Sequence, residues 1–195
     1  MTVNDAEKIR QRDVRVVQQV LDGDTDMYRE LVERYRTRVF TVALRLVANR
    51  ADAEDLTQAA FVAAYSALGR FDPSRSYYTW LMRIAVNKCK DHLKSHKRRE
   101  AHLTGDILGP GALFTGRVGG PEQEVDQKQR LAFMSQALAA MDKKYSVPLV
   151  LKEVQGMSYK EMQEVLDLPL TTLKIRVVRA RVQLQERMSC LIEPT

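Results

Sequence analysis

The sequence predicts an all-α protein made of two small helical bundles joined by a flexible linker. Apolar residues recur at helical steps through most of the chain, the alternation expected of β-strands is absent, and no internal repeat is evident. Six of the nine glycines fall between Gly105 and Gly120, with Pro110 and Pro121 interleaved, a composition that marks a linker. The resulting division is 1–99, a linker over 100–124, and 125–195, with roughly four helices on either side. Ile107, Leu108, Leu113, Phe114 and Val118 are scattered through the linker and fit either docking on a partner or local contacts.

In the first bundle, Asp13 to Leu21 reads as one short helix. A longer one follows, with Tyr28, Leu31, Tyr35, Val39, Val42 and Leu46 at steps of three and four. Asn49 offers an end and Asp52 an N-cap, and Ala53 to Leu68 then forms a small-residue, close-packing helix closed at Gly69. A third long helix runs from about Thr79 to Lys94. Residues 74 to 99 carry eight basic side chains against the single acid Asp91. Within them Arg83, Asn87, Lys90 and Lys94 form a polar, basic stripe suited to a phosphate backbone, while Trp80, Ile84 and Leu93 pack on other sides. Just upstream, Phe71 to Trp80 places aromatics beside basic residues, which is what unpaired bases need in order to stack while cations follow the backbone. The core reading suits Trp80 best; Tyr77 and Tyr78 fit either role.

The second bundle ends in the most informative stretch of the chain. Ser158 followed three residues later by Glu161 is a capping box, so a helix starts there. Met162, Val165 and Leu166 supply its buried face, and Asp167 with Pro169 stops it at a sharp turn. A second helix begins near Leu170. On it Leu173, Val177, Ala180, Leu184 and Met188 project to one side as an anchor in the core. Thr171, Ile175, Val178 and Arg179 project to the other, flanked by Lys174 and Arg181. Two β-branched apolar residues on the wet face of a basic helix suit contact with thymine methyl groups, leaving Lys and Arg for bases and phosphates. The arrangement is a helix-turn-helix, with a solvated charged stripe as the plainer alternative.

Composition agrees. The chain has 195 residues, with 31 Lys and Arg against 25 Asp and Glu, a formal charge of +6 and a pI near 9.4, which suits a polyanionic partner. Cys89 and Cys190 are far apart and show neither the spacing of a metal site nor that of a redox pair, so both read as reduced structural thiols. The N-terminus has no apolar leader segment, and no stretch approaches the ~18 apolar residues of a membrane span, so the expected location is the cytoplasm. No nucleophile-base pattern, metal-ligand spacing or phosphate-binding glycine loop is present. His92, His96 and His102 read as solvated residues in or beside the basic tract, so neither an enzyme nor a cofactor is expected.

Three segments carry a family resemblance: Asp52-Ala53-Glu54-Asp55-Leu56-Thr57-Gln58-Ala59-Ala60-Phe61, Leu68-Gly69-Arg70-Phe71, and Tyr78-Thr79-Trp80-Leu81-Met82-Arg83-Ile84-Ala85-Val86-Asn87. Together they resemble region two of the extracytoplasmic-function sigma factors of bacterial RNA polymerase, and Gly156 to Arg181 resembles region four. The resemblance implies binding to core RNA polymerase. The helix carrying Asp52, Asp55, Gln58 and Phe61 would meet the β′ coiled coil, although helix capping and the dipole also account for the acids, and burial for Phe61. The β flap is implied as a second contact, with no residues assigned.

The resemblance further implies capture of a flipped base of the melted minus-ten element by the segment Asp72 to Tyr77. Ser74, Arg75, Tyr77, Tyr78, Arg83 and Asn87 are implicated, and Lys88 and Lys90 would hold the backbone. For the minus-thirty-five element, Lys174, Ile175, Val178 and Arg179 match the base-reading positions; Thr171 lies beside them, and Arg176 and Arg181 would sit on phosphates. An anti-sigma factor, often membrane-anchored, is an implied partner. Asp167 replaces the usual turn glycine, and Gln163 the usual small alanine facing the recognition helix. The alternative from another class is a conventional repressor or activator sensing a signal through its N-terminal bundle, but the chain shows no dimerisation heptad and no ligand-pocket signature.

Overall fold

The structure, a computed structural model, describes residues 3–103 and 133–192. Among the described residues it is helical, without strands. The expected linker lies outside the described residues from residue 104 onward, together with its scattered apolar side chains.

Helix α1 spans Val3–Leu21, ten residues longer at its start than the periodicity predicts. Its first half is mostly polar and is held by an (i,i+3) pair, Glu7 with Arg10, rather than by burial. Its second half buries Val16, Val17 and Val20. Asp13, only 2% exposed, accepts hydrogen bonds from the Tyr35 hydroxyl and the Arg34 guanidinium. Burial raises its pKa, and both partners act against that shift.

Helix α2 spans Tyr28–Val47 and buries Leu31, Tyr35, Val39, Val42 and Leu46, as their spacing predicts. It ends at Ala48, whose left-handed backbone (φ +55°) redirects the chain into α3, Arg50–Ser66. The N-cap of α3 is Asn49, not Asp52: its side chain accepts from the Asp52 amide at 3.1 Å. Asn49 has the extended backbone a cap requires, which places Asp52 inside the first turn, where its charge favours the helix dipole. After a short 3₁₀ turn, Leu68–Arg70, and the loop 71–76, helix α4 runs over Tyr77–Leu103. It begins two residues earlier than expected, with the Ser76 hydroxyl accepting from the Thr79 amide, and continues past Lys94 because no glycine or proline interrupts the basic tract.

Residues 133–140 form α5 within the described chain. Helix α6, Lys143–Leu149, is capped by Asp142, which accepts from the Lys144 amide at 2.8 Å. Pro148 inside α6 cannot donate a helical hydrogen bond, and the helix widens directly afterwards into a π turn over Val150–Val154. Gly156, at φ +66°, ends that turn in a conformation suited to glycine. Helices α7, Tyr159–Leu166, and α8, Leu170–Ile192, complete the fold.

The two bundles do not stand apart. Leu46, Val86 and Cys89 from the first belong to the same hydrophobic core as Leu138, Leu151, Met162 and Leu173 from the second. Helix α7 packs on α4, and the π turn on α2. Polar bonds cross the seam. The Tyr78 hydroxyl donates to Gln155 Oε1 at 2.8 Å, Lys143 Nζ to the Leu46 carbonyl at 3.1 Å, and Arg45 to Ser135 Oγ. Cys89 lies inside this core, where burial pushes its thiol up to about 12, in keeping with an inert reduced cysteine.

Candidate nucleic-acid interface

The helix-turn-helix forms as its sequence requires. Ser158 is an N-cap whose hydroxyl accepts from the Glu161 amide at 3.3 Å, while the Ser158 amide donates to the Glu161 carboxylate at 2.7 Å. Asp167 ends α7 at φ +54°, ψ +51°, the left-handed conformation that its short polar side chain tolerates. Gln163, in the place of a small residue, is half-buried, and α7 still packs against α8.

Leu173, Val177 and Ala180 are fully buried, which fixes the rotation of α8 about its axis. Thr171, Lys174, Ile175, Val178 and Arg179 are consequently exposed, Ile175 at 53% and Val178 at 56%. Val182, one step of four beyond Val178, is equally exposed and continues the same apolar stripe. The periodicity that picked out its neighbours could have included it. Arg181 is exposed but engaged, since Glu153 on the π turn accepts from its Nη2 at 2.6 Å and its Nε at 3.2 Å. Arg176 is half-buried and lies close enough to Lys90 and Asp142 for its charge to act on both.

On α4, Arg83, Asn87, Lys88 and Lys94 are exposed. Lys90 is half-buried, and its ammonium is destabilised first by burial and then by Lys94 and Arg176. Arg83 Nη1 approaches the Glu164 carbonyl at 3.5 Å, so α7 stands beside one end of the basic stripe.

The aromatic cluster ahead of α4 resolves toward the core. Tyr77 is fully buried and Tyr78 is 8% exposed. This corrects the assignment of both as base-contacting residues. Tyr78 stacks on Tyr35 at 5.4 Å with the Arg38 guanidinium over its ring at 5.1 Å, and Tyr77 meets Phe71 and Trp80, each at 5.7 Å. Burial raises the pKa of both hydroxyls, that of Tyr78 to about 12. Ser74 and Arg75 remain exposed on the loop in front, where the Asp72 carboxylate accepts from the Ser74 amide at 2.9 Å and lies 3.5 Å from the Arg75 guanidinium.

On α3, Asp55 and Gln58 are exposed, and Asp52 is half-exposed with His92 Nε2 at 3.6 Å. Phe61 is not part of that surface: it is 6% exposed, and its carbonyl accepts from the Tyr28 hydroxyl at 2.8 Å. One helical step further, Val62 (58%) and Tyr65 (42%) supply the exposed apolar area instead. A separate, mainly apolar groove of about 340 Å³ opens between α5, the π turn and α8, lined by Met134, Leu138, Val150, Val154, Leu184 and Met188. Among the described residues no three His, Cys, Asp or Glu side chains converge to hold a metal ion, and no helix is long and apolar enough to cross a membrane.

Comparison with known proteins bears on both bundles. Residues 31–99 match the protein family Sigma-70 region 2, and residues 134–184 match Sigma-70, region 4. The chain is 30% identical to the RNA polymerase sigma-H factor of Pseudomonas aeruginosa, over 94% of this chain and 97% of that one. It is also 30% identical to the ECF RNA polymerase sigma factor SigW of Bacillus subtilis, over 88% and 94% of the respective chains. Among solved structures, CnrH in complex with the cytosolic domain of CnrY superposes with a TM-score of 0.68 at 26% identity, covering 91% of this chain and 97% of that one.

Proposed function

The chain belongs to the extracytoplasmic-function sigma factors of bacterial RNA polymerase, and we propose that its exposed side chains divide the work of promoter recognition as follows. As a sigma factor it binds core RNA polymerase, recognises the minus-thirty-five and minus-ten elements and promotes melting of the DNA duplex for transcription initiation. The observation that carries the residue assignment is the rotation of α8: burial of Leu173, Val177 and Ala180 leaves Thr171, Lys174, Ile175, Val178 and Arg179 on one exposed face behind a sharp turn. That face enters the major groove of the minus-thirty-five element, with Lys174 and Arg179 offering donors to base edges and Ile175 and Val178 meeting thymine methyl groups. Arg181 reaches a phosphate only after exchanging its bond to Glu153, and Arg176 acts from the edge of the face.

For the minus-ten element, Ser74 and Arg75 form the rim that receives an unpaired base, and Arg83, Asn87, Lys88 and Lys90 track the strand. Tyr77 and Tyr78 support this rim from behind by packing. Asp52, Asp55 and Gln58, extended by Val62 and Tyr65, meet the β′ coiled coil, and the apolar groove beside α5 receives the β flap. An anti-sigma factor regulates access to these surfaces, a reading supported by the similar CnrH, whose solved structure is a complex with the cytosolic domain of CnrY. No covalent step, cofactor or metal enters this function, and the chain acts in the cytoplasm, where the polymerase is.

The experiment is to mix the purified chain with bacterial core RNA polymerase, separate the mixture by gel filtration, and run initiation on a promoter library. Co-elution with new initiation supports the assignment and yields the promoter sequence. Failure to bind core, combined with tight duplex binding by the chain alone, would instead indicate a conventional DNA-binding regulator.

A further inference from the structure

The loop between Phe71 and α4 has no buried side chain over residues 72–76, and a segment of that kind is mobile unless its backbone is held. Two sets of contacts hold it. From within, the Asp72 carbonyl accepts from the Arg75 amide at 3.0 Å, and the Asp72 carboxylate accepts from the Ser74 amide at 2.9 Å, which closes a turn. From outside, Arg10 on α1 donates Nη1 to the Pro73 carbonyl at 3.2 Å and to the Ser74 carbonyl at 3.4 Å, across more than sixty positions of sequence.

The Arg10 guanidinium is itself aimed. Its Nε and Nη2 bind the two oxygens of Glu7, at 3.0 and 2.7 Å, which uses one edge of the planar fork and leaves Nη1 for the two carbonyls. That pairing holds the Glu7 carboxyl below its usual range and Arg10 above its own. A lysine could not divide its donors between a carboxylate on one edge and two carbonyls on the other, because its ammonium is a single point of charge on a flexible stem.

The geometry points to Arg10 as a positioning residue: it fixes the Pro73–Ser74 turn in the shape that receives the unpaired minus-ten base, from a helix otherwise given no part in promoter recognition. The inference rests on the minus-ten reading of this loop. Pre-ordering the turn removes a cost that base capture would otherwise bear, so loss of Arg10 acts on capture of the single strand and not on duplex recognition.

The test uses holoenzyme reconstituted from core RNA polymerase and the full chain, as wild type, Arg10→Ala and Arg10→Lys. One probe is a fork DNA whose single-stranded overhang carries the minus-ten sequence selected by the wild-type enzyme; the other is a blunt duplex carrying only the upstream element. Arg10→Ala is expected to speed dissociation from the fork about five- to tenfold, a size in keeping with hydrogen bonds to a charged group at a solvated site, and to leave the duplex unaffected. Arg10→Lys is expected to behave like Arg10→Ala, and full rescue by lysine would overturn the positioning role in favour of charge alone. A second readout in the free chain is solvent exchange of the Arg75 amide, which should quicken in Arg10→Ala while amides of α2 do not. Unchanged fork dissociation together with unchanged exchange would overturn the inference. Wild-type holoenzyme that holds the fork no longer than the duplex would instead sink the minus-ten reading, and that result precedes any variant.

Discussion

Asp167 is the left-handed residue in the turn between α7 and α8, and at φ +54° it pays a conformational penalty that glycine would not. Asp167→Gly is expected to leave promoter binding intact and to change stability by less than ~1 kcal/mol, whereas a β-branched Asp167→Val should lower it by about 1–2 kcal/mol; thermal unfolding of the two variants checks both. Lys143 is a different kind of residue-scale commitment. Its ammonium is half-buried at the seam, donating to the Ala139 carbonyl at 2.7 Å as well as to Leu46, and burial lowers its pKa to about 8 from an ordinary 10.5. Between those two values the unfolded chain holds a proton that the folded chain has released, so stability contributed by this site rises with pH in that window and is flat below it. The thermal midpoint should therefore gain more between pH 8 and pH 10 in the wild type than in Lys143→Met, and equal gains would refute the assignment.

At the scale of elements, α3 and α8 are each read from one buried stripe and one exposed one, and the exposed stripes should fail independently. Asp55→Lys is expected to weaken core polymerase binding at least tenfold on a gel-filtration assay while leaving the free chain's duplex binding unchanged. Lys174→Ala should do the reverse, costing about 1–3 kcal/mol of promoter discrimination at one base step of the minus-thirty-five element. What could be read from the sequence at this scale was local. The capping box of α7, the left-handed stop at Asp167 and the anchoring face of α8 are all set by neighbours within a few turns, and each stands where the spacing puts it. Asp52 reads as a cap of α3 in the sequence because aspartate and asparagine are equally good caps and only the backbone at Asn49 decides between them. For Phe61, Tyr77 and Tyr78 the sequence leaves contact and burial both open, because an aromatic beside polar residues reads the same whether it faces solvent or a neighbouring helix. The start of α1 and the role of Arg10 were invisible, since the first lacks an apolar period and the second depends on a loop far along the chain.

For the whole molecule, the hydrogen bond from Tyr78 to Gln155 and the approach of Arg83 to Glu164 tie the first bundle to the second. Tyr78→Phe removes one such bond while keeping the ring in its stack, a loss of about 1 kcal/mol, or roughly a fivefold shift toward separated bundles. Small-angle scattering of the free chain should report a larger radius for this variant, and an unchanged radius would show that the shared core and the bonds of Lys143 and Arg45 hold the halves together without it. The packed seam also changes what the positive charge of the chain can accomplish. Helix α7 meets the basic stripe of α4 at Arg83 alone, through the Glu164 carbonyl, and there it stands as a tethered competitor at an effective concentration that linked modules commonly bring to about millimolar. A stray polyanion must displace that contact to use Arg83, so a free chain with a pI near 9.4 should hold non-specific DNA slightly less strongly than its charge suggests, with Lys88 and Lys94 open in either arrangement.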